Sequence, residues 1–221
     1  MTAPARFTAP FSPVPAAVAA APHGLATLPG AVTKYARNSE VFGEGDEAEF
    51  VYRVRSGTVR LYRILSDGRR MIGSFHFAGD TFGIETGDEH STSAEAVTDC
   101  EIIATPRLAV FRRAEADHAF SHELWQSAVA ELAGARKHML VLGCQSALER
   151  VSSFLLEMAQ RSSAGGVISL PMSRQDIADY LGLTIETISR TITLLTERGV
   201  IEVPSSRTIV LRNPAFLRQA A

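Results

Sequence analysis

Thirty residues near the C-terminus, Met172 to Ile201, read MSRQDIADYLGLTIETISRTITLLTERGVI and leave the backbone few choices. Ser173, with Asp176 three positions on, makes a capping box that opens a helix. In that helix Ile177 and Leu181 fall on the buried side, and Ala178 is small where a second helix must cross closely. Gly182 permits a left-handed turn without steric penalty. Thr184 then caps a second helix running to about Arg198, with Ile188, Ile192 and Leu195 recurring at four and three as its core stripe. The pattern predicts a helix-turn-helix.

The second helix has an opposite, polar face carrying Glu186, Ser189, Arg190 and Thr193 within about one turn. Polar side chains near the N-terminus of a helix with an apolar back are what major-groove docking requires. Arginine pairs with guanine O6 and N7, glutamate accepts from a base amino group, and serine serves several edges. An ordinary two-helix corner with a solvated face is the competing reading. The segment after the second helix favours nucleic acid. Gly199 ends the helix, and Val200–Val203 and Thr208–Leu211 read as two short strands joined by Pro204-Ser205-Ser206-Arg207. That is a wing, and Arg207 at its tip is placed to meet a phosphate.

Charge does not argue for this by itself. The net charge is −2 over 221 residues, and from Ser163 onward six Lys or Arg face five Asp or Glu. This argues against indiscriminate polyanion binding, so any nucleic-acid site must be local. Apolar content of 46% supports real cores. Cys100 and Cys144 form no C-x-x-C pair, which argues against a cysteine-built zinc or iron–sulfur site. No apolar run approaches a membrane span and the N-terminus lacks a signal peptide's apolar region, so a cytoplasmic protein with no membrane partner is expected.

Upstream, residues 1–32 are Ala/Pro-rich, hold six of the ten prolines, and are expected to form a flexible arm. From 33 to 113 short β runs alternate with glycine turns: Val51–Val54, Val59–Ile64, Met71–Ile72, Phe75–Phe77, Ser93–Val97 and Glu101–Ala104. They suggest a β-barrel or jelly roll. His76, alternating with Phe75 and Phe77, is expected on the solvent side. From 114 to 145 the period is helical, and Leu124, Ala128, Leu132, Ala135, Met139 and Leu142 form a seam able to pair with a second copy. Gly143 interrupts it. Ser146 and Glu149 open a further helix, and residues 146–221 complete the last domain. The expected fold is α+β: an N-terminal jelly-roll-like β-roll barrel, a long dimerisation helix and a C-terminal winged helix-turn-helix.

This order resembles the CRP/FNR superfamily of bacterial transcription regulators from about Thr33 onward. The resemblance is carried by Leu142-Gly143 with Ala147–Val151 and Phe154-Leu155, by Met172 to Ile192, and by Gly57, Gly79-Asp80 and Gly83 at the roll's turns. Within the superfamily, Glu186-x-x-Ser189-Arg190 resembles the E-x-x-S-R readout of the FNR and FixK branches, and Phe82–Gly87 with Ala94–Ala96 looks FixK-like. The resemblance implies a homodimer on a TTGAT-N4-ATCAA palindrome, with Arg190 on the guanine, Ser189 on a thymine and Glu186 on the opposite-strand cytosine. Ser173, Arg174, Thr184 and Thr187 would contact phosphates, and RNA polymerase would be a partner. An activator of microaerobic, anaerobic or nitrogen-fixation-associated genes is implied, working without a cofactor.

Two departures narrow the branch. FNR proper holds an oxygen-labile iron–sulfur cluster on cysteines mostly near its N-terminus, where this chain has none. Cyclic-nucleotide binders hold the phosphate with an Arg-Ser pair, and here His90 stands in the arginine's place behind Asp88 and Glu89, where an anion would be repelled. The rival within the superfamily is a ligand-gated regulator with haem or another small molecule in the roll. An enzyme is disfavoured, because the roll's carboxylates are scattered with no acid, base and nucleophile set. His118 and His122 have metal-ligand spacing but no third ligand, Cys144 at the hinge reads as a structural thiol, and Cys100 reads as barrel core.

Overall fold

The computed structural model describes residues 28–144, 146–162 and 166–221. The expected N-terminal arm lies almost wholly outside them, as does the side chain of Cys144. The chain opens with β1 (Ala31–Tyr35), β2 (Glu40–Phe42), β3 (Phe50–Ser56), β4 (Thr58–Ile64), β5 (Arg70–Phe77), β6 (Thr81–Phe82), β7 (Ser93–Ala96) and β8 (Cys100–Pro106). These form two four-stranded antiparallel sheets, ordered β1-β8-β3-β6 and β2-β7-β4-β5. Their inner faces meet over Tyr52, Val54, Val59, Phe82, Cys100 and Ile102. Gly57 joins β3 to β4 at φ 92°, where a Cβ would lie 2.4 Å from the Asp99 carbonyl oxygen. Only glycine fits there.

Helix follows as α1 (Arg107–Ala116) and α2 (His118–Cys144). The sequence pattern predicts one helical run from about 114. The structure starts helix at Arg107 and breaks it at Asp117, whose side chain accepts from the amides of Ala119 and Phe120 and so caps α2. An N-cap aspartate inside a periodic run is a helix boundary that periodicity alone passes over. Val110 and Phe120 pack with Leu28 and Val51 beneath the roll.

The last domain is α3 (Ala147–Arg161), β9 (Val167–Ser169), α4 (Arg174–Leu181), α5 (Ile185–Glu197), β10 (Ile201–Ser205), β11 (Thr208–Leu211) and α6 (Pro214–Ala220). The capping boxes at Ser146/Glu149 and Ser173/Asp176 are both formed. Asn213 caps the short α6. Strands β10-β11-β9 make the wing sheet. Among the described residues no helix is long and apolar enough to cross a membrane.

The domain boundary is not a bare hinge. Ile72, Phe75 and Val97 of the roll belong to one buried cluster with Phe154, Ile177, Tyr180, Leu181 and Ile188 of the last domain. The reason is a bulge. Leu61 pairs with Ser74 and Tyr62 with Ile72, so Gly73 is an extra residue. It puts Arg70 and Ile72 on the same face as Phe75 and Phe77. That outer face is covered by the last domain, and His76 turns inward against Phe82, ring centroids 5.3 Å apart. The expected solvent-side His76 is thus corrected: it is buried, with Ser74 Oγ 2.9 Å from its Nε2. The alternation is as expected, but the face that meets solvent in an isolated barrel is here a domain interface.

Candidate nucleic-acid interface

Helices α4 and α5 meet at Gly182, which takes the left-handed conformation at φ 61° and ψ 39°. Arg150 of α3 braces this turn, donating from Nη1 to the Leu181 carbonyl at 3.0 Å and from Nη2 to the Leu142 carbonyl at 2.8 Å. Ile188, Ile192 and Leu195 are buried as the sequence predicts. Burying that stripe leaves α5 no rotational freedom about its axis, so the opposite face is presented at a fixed angle.

That face carries Glu186, Ser189, Arg190 and Thr193, all exposed. The amide at its own helix end, the Thr184 hydroxyl and Arg190 hold the Glu186 carboxyl below its usual range. It is therefore an acceptor at neutral pH. Ser189 Oγ donates to the Ile185 carbonyl at 2.8 Å, leaving its Cβ and lone pairs outward. Arg190 makes no salt bridge among the described residues and keeps its guanidinium edge free. The three sequence-predicted readers thus lie on one solvent-facing surface over a single turn.

The flanking positions divide. Thr184 Oγ1 accepts from the Thr187 amide at 3.2 Å and lies 3.1 Å from Thr187 Oγ1, so both hydroxyls sit at the exposed N-terminus of α5. That end of a helix favours anions through its free amides and its dipole. Arg207 is exposed at the tip between β10 and β11. Ser173 differs: its hydroxyl donates to Asp176 Oδ2 at 2.8 Å and accepts from the Asp176 amide at 3.0 Å. Its hydroxyl proton is committed to the cap. Arg174, next to it, is partly buried.

Of the six residues expected to form a seam on α2, the two at its ends meet their own chain and the four between them are open. Leu124 packs partly against the cluster beneath the roll. Leu142 lies against the helix-turn-helix, its Cδ2 3.4 Å from where a Gly182 Cβ would be. Between them Ala128, Leu132, Ala135 and Met139 are exposed. Trp125 (69%), Val129 and Leu140 are exposed too, and sequence reasoning misses them. A tryptophan open to solvent on a helix otherwise rich in alanine is the signal that could have found that stripe.

Inside the roll, the Phe42 and His90 rings stack at 3.6 Å and 10°. Tyr52 and Phe82 close the set, with Tyr52 5.1 Å from Phe42 and 5.4 Å from Phe82. Both ring nitrogens of His90 are buried, and among the described residues neither has a hydrogen-bond partner. Burial pushes its pKa down despite Glu85 3.7 Å away, so the ring is neutral. Glu85 accepts from the amide and hydroxyl of Ser91, both at 3.1 Å. Arg107 donates to the carbonyls of Gly87 and Glu85. Cys100 is buried with its thiol on the Thr58 and Thr98 carbonyls, as expected of barrel core. His118 and His122 are exposed on α2, and among the described residues no group of three or more potential ligands gathers around a metal position.

Comparison with known proteins assigns both domains. Residues 32–117 match the cyclic nucleotide-binding domain family, and residues 149–220 match the Crp-like helix-turn-helix domain family. The chain is 48% identical to the nitrogen fixation regulation protein FixK of Azorhizobium caulinodans, covering 86% of this chain and 79% of that one. It is 45% identical to FixK of Rhizobium meliloti, covering 86% and 87%. The structure of FixK2 from Bradyrhizobium japonicum superposes with a TM-score of 0.84 at 44% identity, covering 87% of this chain and 98% of that one.

The first of these families implies a cyclic nucleotide, and the residues present do not fit one. A neutral imidazole stands where a cation must face the phosphodiester, and the Glu85 carboxylate already occupies the Ser91 donors. A second anion there would meet a like charge. The relatives are regulators and not enzymes. With a Crp-like helix-turn-helix behind a β-roll and this degree of identity over most of its length, the chain belongs to the CRP/FNR superfamily as a FixK-like, DNA-binding transcription regulator.

Proposed function

We propose that the protein acts as a homodimer that reads a TTGAT-N4-ATCAA-type palindrome without a bound effector. It would activate genes for microaerobic or anaerobic respiration or for nitrogen fixation, through contact with RNA polymerase. The observation that carries the reading is the single exposed surface on α5 where Glu186, Ser189 and Arg190 stand together, with no competing salt bridge on Arg190 among the described residues. In it Arg190 pairs with guanine O6 and N7, Glu186 accepts from the opposite-strand cytosine amino group, and the Ser189 Cβ meets the thymine methyl. Arg174, Thr184, Thr187 and Arg207 take phosphates, while Ser173 serves α4 as its cap. The exposed α2 stripe through Leu132 and Met139 pairs with its copy, and a two-fold dimer then matches a two-fold site.

The test is fluorescence-anisotropy binding of ligand-free protein to the palindrome, and to a duplex with each half-site guanine replaced, at one salt concentration. Tight binding that weakens by about 1–3 kcal/mol per lost guanine contact supports the reading. Equally weak binding to both duplexes overturns the effector-free regulator and points to a ligand in the roll.

A further inference from the structure

Two arginines of the β-roll reach across the domain boundary and close on one carboxylate of the helix-turn-helix. Arg60 Nη1 donates to Asp176 Oδ1 at 2.9 Å, and Arg70 Nη2 donates to the same oxygen at 2.6 Å. Each arginine has a second anchor. Arg60 Nη2 donates to Glu95 Oε1 at 2.6 Å, on its cross-strand neighbour in β7. Arg70 Nε donates to Asp179 Oδ2 at 2.8 Å. The other oxygen of Asp176 holds the Ser173 amide at 2.9 Å and its hydroxyl at 2.8 Å. One carboxylate therefore starts α4 and ties it to the roll. Burial pushes that carboxyl up, but Ser173 and the two arginines outweigh burial and hold it below its ordinary range.

Stability alone does not account for the arrangement. Buried ion pairs are often no better than well-packed apolar side chains in the same space. This one also carries a visible cost, because Arg60 Nε is buried with no hydrogen-bond partner among the described residues. What the pairs add to the apolar contact around them is direction. Phe75 against Tyr180, centroids 5.3 Å apart, tolerates sliding. Forked, charge-assisted hydrogen bonds fix both distance and angle.

We propose that Arg60, Arg70 and Asp176 are positioning residues that hold α4, and through it the reading helix, at one attitude to the β-roll. They thereby set the half-site spacing that the dimer accepts. Helix α5 is packed on α4, and the roll leads through α1 into α2, which carries the exposed apolar stripe. The separation of two reading helices in a dimer then follows from how each head is seated on its own roll, and DNA accepts only separations near one helical turn or its multiples. The inference rests on the proposed DNA reading.

The test uses the full chain and duplexes with N3, N4 and N5 spacers between identical half-sites. Arg60→Met with Arg70→Met removes the clamp from the roll and leaves the DNA-binding domain unaltered. Wild type is expected to prefer N4 over N3 and N5 by at least about a hundredfold, and the double variant by no more than about tenfold, with N4 affinity kept within about threefold. A variant that merely folds less well binds all three spacers more weakly by one factor and keeps the ratio. An unchanged ratio therefore overturns the proposal. Asp176→Asn, which retains a cap oxygen without the charge, must reproduce the loss of discrimination. Small-angle X-ray scattering of the DNA-free proteins gives an independent arm. The double variant is expected to expand relative to wild type, and identical profiles contradict the clamp. Should wild type bind none of the duplexes, the DNA reading fails, and scattering alone decides whether the clamp exists.

Discussion

The imidazole of His138, on the long helix, lies flat on the ring of Tyr180 in α4, with centroids 4.1 Å and planes 14° apart. It is a contact between the helix expected to pair subunits and the first helix of the reading head. Tyr180 also meets Phe75 and Phe154, so three segments converge on one ring. His138→Ala removes the stack and opens space beside Tyr180, and is expected to cost about 1–2 kcal/mol in urea unfolding. His138→Phe keeps a ring in place and is expected to stay within about 0.5 kcal/mol of wild type. A similar loss for both variants contradicts the stacking account.

His76 links stability to pH. Burial pushes its pKa down to about 4, with Asp80 opposing and Arg161 reinforcing the shift. The unfolded chain, with a histidine near its ordinary value of about 6.5, binds the proton first as pH falls. The folded state is therefore destabilised progressively as pH drops from about 6.5 toward 4, and is unaffected by this group above that window. His90 and His138, also lowered by burial, add in the same direction. Urea midpoints at pH 7.5 and 5.0 are expected to differ in wild type, and His76→Gln is expected to shrink the difference. A variant with the full wild-type dependence contradicts the assignment to His76.

The α2 stripe makes an assembly prediction. Leu132 and Met139 are 51% and 65% exposed, on the face that also carries Trp125 and Val129. In the proposed dimer, Leu132→Glu with Met139→Glu would place like charges across the two-fold contact. Sedimentation is expected to show dimer dissociation at least about a hundredfold weaker, because central apolar anchors dominate such contacts. The circular dichroism spectrum should be unchanged. A variant dimer as tight as wild type would place the subunit contact elsewhere.

The helix-turn-helix, its caps and its wing are legible in the sequence because each is set within a few residues. Ser173 with Asp176, Gly182, and Thr184 with Thr187 are local devices, and the structure forms them all. The roll is legible as strands and turns, though β1, β2 and β6 are not. The features that escape are long-range. Arg60 meets Asp176 across 116 positions, and no local pattern announces it. The bulge at Gly73 shifts face parity within β5, so strict alternation misassigns Ile72 relative to Phe75. Alternation also puts His76 on the wrong side, because both faces of its strand are covered. The period marks an apolar face along α2, but Leu124 and Leu142, at the ends of that face, have part of their surface inside their own chain.

In the proposed complex Arg190, on the exposed face of α5, reads the guanine of each half-site. A double substitution cycle tests it directly: wild type and Arg190→Ala, each titrated at one salt concentration with the palindrome and with a duplex carrying 7-deazaguanine at that position. Replacing N7 by C–H removes one acceptor and leaves the base pair intact. Wild type is expected to lose about 1–3 kcal/mol per half-site contact while Arg190→Ala binds both duplexes alike. Wild type indifferent to the modified base, or a variant that still prefers the natural one, would show that the guanine is read by another residue or not at all.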